Sequence, residues 1–212
     1  MQNHITNILI TGVGGQGTVL ASKLLAQTAA AGGMFVRQAE TIGMAQRGGS
    51  VLSHVRICAH DPERQPASAD TAAARLESPL IGAGSADIVV GFEPNETLRA
   101  LPFFGPAATV VSATTEEIPP SASADVCDPL NALESLAGSA KIRQLVLVDN
   151  LAVYDRLGSA KPLNVALLGV LVGLGVLPFS EKDLIDVIKT MVKPRFVEMN
   201  LQALSYGASL AR

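Results

Sequence analysis

The chain has 212 residues, 48% of them hydrophobic, with no Trp, two Tyr, six Phe and a formal charge of −3. That length suits one α/β domain, residues 1–212, with a core built from Ala, Val, Leu and Ile. Weak, interspersed charge and few aromatics exclude the clustered basic surface and the stacking platform of a nucleic-acid binder.

Other classes fall away on the same grounds. Cys58 and Cys127 lie far apart, so the chain offers no disulfide framework, zinc set or cluster-binding motif. Both read as thiols of a reducing cytoplasm. Residues 1–4 (MQNH) lack the basic and apolar regions of a signal peptide. The most apolar run, 165–177, is interrupted by Gly169, Gly173 and Gly175 and stops at Pro178. It falls short of the ~20 residues that span a bilayer and reads as a buried helix.

In chain order, the first signal is residues 8–17 (ILITGVGGQG). Ile8, Leu9 and Ile10 predict a buried strand. Gly12, Gly14, Gly15 and Gly17 follow, and because glycine weakens the interior of a strand or helix, all four are assigned to a sharp turn. Gly12, Gly14 and Gly17 have the spacing of the dinucleotide fingerprint. Where a helix starts, unpaired N–H groups and the positive dipole end suit a phosphate or carboxylate. Gly12, Gly14, Gly15, Gln16, Gly17 and Thr18 are therefore the candidate cofactor-binding residues. Tight packing against a neighbour is the competing reading.

Residues 18–31 predict a helix whose alanines permit close packing on a sheet, stopped by Gly32-Gly33. Residues 34–40 (MFVRQAE) predict a strand ending in Glu40, about where a dinucleotide fold places its ribose-binding acid. Residues 41–50 (TIGMAQRGGS) read as a loop. In 51–57 (VLSHVRI), Val51, Ser53, Val55 and Ile57 share one face and Leu52, His54 and Arg56 the other. Residues 58–77 turn polar and Ala-rich, a mobile insertion with a short helix near 71–76.

Further strands are expected at 86–92, 107–113 and 145–148. Glu93 closes the first of these, and Pro94 opens a helix through residue 101. A loop at 119–121 and a helix at 129–136 lie between the later two. From residue 163 the chain is helical. A central apolar helix spans 163–174. Ser180 caps an amphipathic helix with its apolar face at Leu184, Ile185, Ile188, Met191 and Val192. A last helix follows Pro194 over 196–210. Short apolar strands alternating with helices predict a three-layer α/β fold with a mostly parallel, Rossmann-like sheet and a helical C-terminal part.

Three stretches together, ITGVGGQGTVLASKLLA, AETIGMAQRGGSVLSHVRI and SPLIGAGSADIVVGFEPNETLRAL, resemble the gamma-type subunits of 2-oxoacid:ferredoxin oxidoreductases. The branch most like them is the beta subunit of indolepyruvate ferredoxin oxidoreductases. LVLVDN and NVALLGVLVGLGVLP fit as well, so the resemblance covers nearly the whole chain. It implies a subunit with no catalytic residue and no cofactor of its own. Thiamine diphosphate and iron–sulfur clusters would sit on a large partner subunit, and ferredoxin would take electrons through the complex. The chain would shape the site, in contact with part of coenzyme A. In the family a short turn joins the HVRI strand to SPLI, whereas residues 58–77 intervene here.

On this resemblance, Met44, Gln46, Arg47, Gly48, Gly49 and Glu93 are candidate interface or ligand contacts. The alternative for Arg47 is an arginine tying loop carbonyls together, and for Glu93 a charge favouring the next helix dipole. His54 reads as a structural histidine, and Glu96 with Arg99 as a surface pair. Gly14→Val is expected to abolish partner activity or folding, on the ground of close approach and positive φ. A free-standing NAD(P)-dependent oxidoreductase or nucleotide-binding module is the alternative function, supported by the glycine loop and Glu40. A ubiquitin-activating type of adenylating enzyme shares GxGGxG but brings paired CxxC motifs, and this chain has none.

Overall fold

Ile8, Leu9 and Ile10 are all fully buried because the strand carrying them lies inside a sheet covered on both faces. The computed structural model describes residues 5–43, 49–59, 76–116, 128–159 and 161–211. Strand β1 (Ile5–Val13) leads into helix α1 (Thr18–Ala31), and β2 (Phe35–Ile42) and β3 (Ser50–Cys58) follow as an antiparallel pair. Next come β4 (Ala86–Gly91), α2 (Pro94–Arg99), a 3-10 turn (Leu101–Phe103) and β5 (Phe104–Ala113). Helix α3 (Pro129–Leu136), β6 (Ile142–Val148) and α4 (Asn150–Leu157) precede the C-terminal helices. These are α5 (Leu163–Gly173), α6 (Glu181–Met191) and α7 (Pro194–Ser209).

The sheet order is β2-β3-β1-β4-β5-β6. Pairing is parallel from β1 through β6 and antiparallel on both sides of β3. The alternation of side chains divides the core. Ile8, Ile10, Val55, Ile57, Ile88 and Val90 pack with Leu24, Leu168, Leu184 and Leu204 of α1, α5, α6 and α7. Leu9, Val89 and Val110 pack on the other side with Phe104, Leu133 and Ile142. The result is the expected three-layer α/β arrangement. Aromatics are few, yet Phe92 and Phe104 are among the largest fully buried side chains.

Local signals fix the helix ends. Gly33, at φ +76°, lets Met34 N–H return to Ala29 O at 3.0 Å and closes α1. Ser180 and Asp183 form the reciprocal box that starts α6. Helices α5 and α7 meet backbone to backbone: a Cβ on Gly207 would lie 1.9 Å from Ala166 O, and one on Gly169 2.2 Å from Leu204 O.

Several expectations are corrected. Gly12 lies within β1 rather than in the turn. Thr41 and Ile42 extend β2, because they pair with Leu52 and Val51 instead of opening the loop. Glu96 is not a surface residue: it is 4% exposed, while the Arg99 side chain that pairs with it is 70% exposed. Val187 takes a buried place on α6, and Met191 is 38% exposed. Helix α4 has no counterpart in the sequence reading. Asp149 caps it by accepting Leu151 N–H at 2.8 Å, and Gly158 closes it at φ +66°. The short helix near 71–76 apart from Leu76, the loop at 119–121, Cys127 and most of the 58–77 insertion fall outside the described residues.

Candidate functional site at the carboxyl edge of the sheet

Strand β1 hands the chain to β2 on one side, and its parallel neighbour β4 hands it to β5 on the other. In an open α/β sheet, the crevice beyond the carboxyl ends of two such strands is where ligands bind. The glycine loop leaves β1 here and Phe92-Glu93 leave β4. Because β3 is antiparallel, its first residue, Ser50, lies opposite Val13 at the same edge.

Each glycine of the loop has a distinct task. A Cβ on Gly12 would lie 2.8 Å from Phe92 Cβ and 2.7 Å from Gln16 Oε1, so this position admits only glycine. The Gln16 side chain turns back and accepts Val13 N–H at 2.8 Å. Gly15 and Gly17 take φ of +105° and +91°, the left-handed region that glycine tolerates. Gly17 is the N-cap of α1, with no side-chain cap bond, and a Cβ there would lie 3.0 Å from Asn164 Nδ2. Gly14 and Gly15 are exposed, whereas Thr18 is 2% exposed.

The steric argument for Gly14 is corrected. Its φ is not positive, and a Cβ would meet only Gly49 O at 3.6 Å, an ordinary contact. Gly14→Val is therefore expected to fold with a melting temperature close to that of the parent. Gly12→Val should lose on the order of 2–3 kcal/mol through overpacking. Parallel denaturant titrations of the two variants check the contrast.

Two loops are tied together at this edge. Gly14 N–H donates to Gly49 O at 2.9 Å, and Gly43 N–H donates to Ser50 O at 2.9 Å. Both ends of residues 43–49 are thus pinned beside the glycine loop. Met44, Gln46, Arg47 and Gly48 lie outside the described residues.

Glu93 lies at the edge but faces inward. It is 1% exposed, Oε2 accepts Glu96 N–H at 2.7 Å, and Oε1 accepts Asn95 Nδ2 at 3.0 Å. It caps α2. Glu40 is exposed on β2, with β3 between it and β1. Through the pairs Glu40–Ser53 and Ser53–Ile10 it stands two strands from β1. At about 4.8 Å per step that is roughly 10 Å from the strand that carries the glycine loop.

His54 is 3% exposed, and its Nδ1 accepts Ile81 N–H at 3.2 Å. Its ring stands edge-on to Phe103, with centroids 5.9 Å apart. Burial pushes its pKa below the ordinary value. The unfolded chain then binds the proton more readily, so stability is retained at neutral pH and lost as pH falls below about 6.5. Asp183, held low by its Ser180 hydrogen bonds, contributes its own loss only below the ordinary carboxylate range. Melting curves between pH 7.5 and 5 should therefore fall more steeply for the parent than for His54→Gln. Parallel curves would contradict this reading of His54.

Two residues of this region were not singled out from sequence. Asn164 opens α5 and touches the Gly17 position, and Lys161 lies three residues before it. The available signal was an amide at the head of an otherwise apolar helix.

Comparison with known proteins places this geometry. Residues 7–210 match the family described as Pyruvate ferredoxin/flavodoxin oxidoreductase. The chain belongs to that family. It is 34% identical over 206 residues to the indolepyruvate oxidoreductase subunit IorB of Archaeoglobus fulgidus, covering 97% of this chain and 94% of the relative. The IorB subunit of Thermococcus kodakarensis is 30% identical, with 97% and 96% covered.

Among solved structures, the gamma subunit of keto/oxoacid ferredoxin oxidoreductase from Geobacter sulfurreducens shares the fold, with TM-score 0.66 and 19% identity. It covers 97% of this chain and 98% of that one. The 2-oxoglutarate:ferredoxin oxidoreductase of Magnetococcus marinus, solved with 2-oxoglutarate, coenzyme A and succinyl-CoA, gives TM-score 0.66 at 17% identity. There the match covers 98% of this chain and 31% of that chain. This chain is the small subunit of a 2-oxoacid:ferredoxin oxidoreductase, and a partner subunit is implied.

Proposed function

We propose that this subunit serves an indolepyruvate-type enzyme, which oxidatively decarboxylates an aryl 2-oxoacid to the acyl-CoA while ferredoxin accepts the electrons. The observation carrying the substrate class is the near end-to-end match to IorB subunits. Residues 1–212 act as one gamma-type domain in the cytoplasm. Among the described residues, no group of three His, Cys, Asp or Glu side chains could hold a metal, and Cys58 is buried. No helix among them is long and apolar enough to cross a membrane. In this reading the iron–sulfur clusters and thiamine diphosphate sit on the large partner, which supplies the chemistry at the carbonyl carbon.

This chain contributes the carboxyl edge. The segment from Gly12 at the end of β1 to Thr18 at the start of α1 presents exposed backbone at Gly14 and Gly15, steadied by the Gln16 and Gly49 bonds. Gly43 and Gly49 are bonded at the same edge, and Met44, Gln46, Arg47, Gly48 and Gly49 serve as contacts to the partner or to part of coenzyme A. Glu93 supports the edge by holding α2. The NAD(P)-binding alternative loses its ribose acid, since β3 separates Glu40 from the glycine loop.

The reading is tested on the complex purified with its large subunit. Indolepyruvate should be oxidised with a kcat/KM at least about tenfold above that for pyruvate or 2-oxoglutarate, a specificity difference of roughly 1.4 kcal/mol. A preference for either aliphatic acid would overturn the aryl assignment.

A further inference from the structure

The two edges of the sheet are built differently. At one end β2 carries the exposed charges Arg37 and Glu40. At the other, β6 runs Leu145-Val146-Leu147-Val148 with no charge and no proline, and Leu145, Val146 and Leu147 are half-buried. Among the described residues β6 pairs only with β5. Thr114 N–H donates to Val148 O at 3.0 Å, so Val148 and, by alternation, Val146 and Gln144 turn their backbone polar groups to β5. Those of Leu145 and Leu147 point away from the sheet. The register shift along this pair comes at its start, between Ala108 and Thr109, and leaves the apolar stretch regular. An uncharged edge of this kind is a template for another strand.

The residues along this edge complement themselves. A twofold axis through Val146 lays a second β6 antiparallel to the first, with Leu145 opposite Leu147, Gln144 opposite Val148 and Arg143 opposite Asp149. Leu145 and Leu147 then exchange the backbone bonds that point outward from both. Each copy also gives one cation and one anion to two Arg143–Asp149 pairs. Arg143 is exposed and has no ion-pair partner among the described residues, and Asp149 engages only Oδ1 in capping α4. The symmetry reaches beyond the strand. Helix α4 follows β6 directly and packs on the sheet through Val153. Of the five large hydrophobics exposed among the described residues, Leu151 (70%) and Tyr154 (51%) stand one turn apart on this helix. A twofold that joins the edges brings α4 alongside its copy and covers them.

We infer that β6 joins two copies of this chain, antiparallel about Val146, so that their six-stranded sheets become one. Such an isologous contact uses the same patch on both chains. It lies three strands from β1, which leaves the glycine loop open to the large subunit, and it does not depend on which 2-oxoacid is oxidised. Cysteine substitution reads the register in the full chain and in its complex with the large subunit. In this pairing the two Val146 Cα atoms lie about 4.5 Å apart, within reach of a disulfide. Val146→Cys should give a disulfide-linked dimer under mild oxidation, whereas Gln144→Cys and the parent chain should not. Sedimentation equilibrium measures the affinity. Arg143→Asp, which sets a carboxylate against Asp149, and Tyr154→Glu should each weaken dimerisation by at least about tenfold. Glu40→Lys, on the opposite edge, should leave it unchanged. Arg143 and Tyr154 are exposed, so neither variant should alter the circular dichroism of the fold. A chain that sediments as a monomer, a link that forms equally in Gln144→Cys, or a dimer indifferent to both Arg143→Asp and Tyr154→Glu overturns the inference.

Discussion

Gly207→Val is expected to leave no cooperatively folded protein. A Cβ at Gly207 would sit 1.9 Å from Ala166 O and 2.8 Å from Ala166 C, both backbone atoms of α5. No rotamer change relieves such a contact, so α5 and α7 must separate. That separation opens the core in which Val165, Leu168, Ala203 and Leu204 are buried. Severe overpacking of this kind exceeds the usual 1–3 kcal/mol, and a loss above roughly 4 kcal/mol consumes much of a stability of about 5–15 kcal/mol. Gly32→Ala is the control: its φ is −78° and its new Cβ would find neighbours no closer than 3.5 Å. Circular dichroism melts should show a normal transition for the control and none for Gly207→Val. A cooperative transition in Gly207→Val would mean that the two helices have room to move apart.

The second large effect is on assembly. Arg47→Ala is expected to weaken binding of the large subunit by about 2–5 kcal/mol, the cost of removing one member of a buried charged pair at an interface. Residues 43–49 are pinned at both ends to the carboxyl edge, through Gly43 to Ser50 and Gly49 to Gly14. Ile42, at the loop's base, is 62% exposed, an apolar side chain that a partner would cover. The guanidinium offers planar donors suited to a carboxylate or phosphate. Analytical ultracentrifugation of the mixed subunits measures the assembly, and the isolated chain's melting temperature should be almost unchanged. A variant that melts much lower but assembles normally would make Arg47 structural.

The sequence made the elements legible where two local signals coincided. Residues 18–31 carried an apolar face and a glycine stop, and α1 has those bounds. Ser180 announced α6 by capping chemistry, and the structure completes the box with Asp183. Strand direction was harder to read, because the alternation in residues 51–57 is the same in either direction. That β3 runs antiparallel between β1 and β2, and so separates Glu40 from the loop, follows from long-range pairing.

The site was readable as a set of stretches but not as distances. Gly12 and Gly14 look alike in sequence, yet one touches Phe92 Cβ and the other meets open space and Gly49 O. Glu93 looked available to a ligand because nothing local shows that Glu96 N–H and Asn95 engage its carboxylate. Asn164 is far from the glycine loop in sequence, and only the fold brings it to Gly17.

The most direct test of the account is turnover as a function of subunit composition. The chain is purified alone, assayed for bound thiamine diphosphate, iron and reduction of ferredoxin by indolepyruvate with coenzyme A, and then titrated with the large subunit. The account predicts no cofactor and no turnover for the chain alone. It predicts that activity will rise with added large subunit and saturate at a fixed ratio of the two chains. Robust turnover by the isolated chain, or activity of the large subunit that is indifferent to its addition, would contradict it.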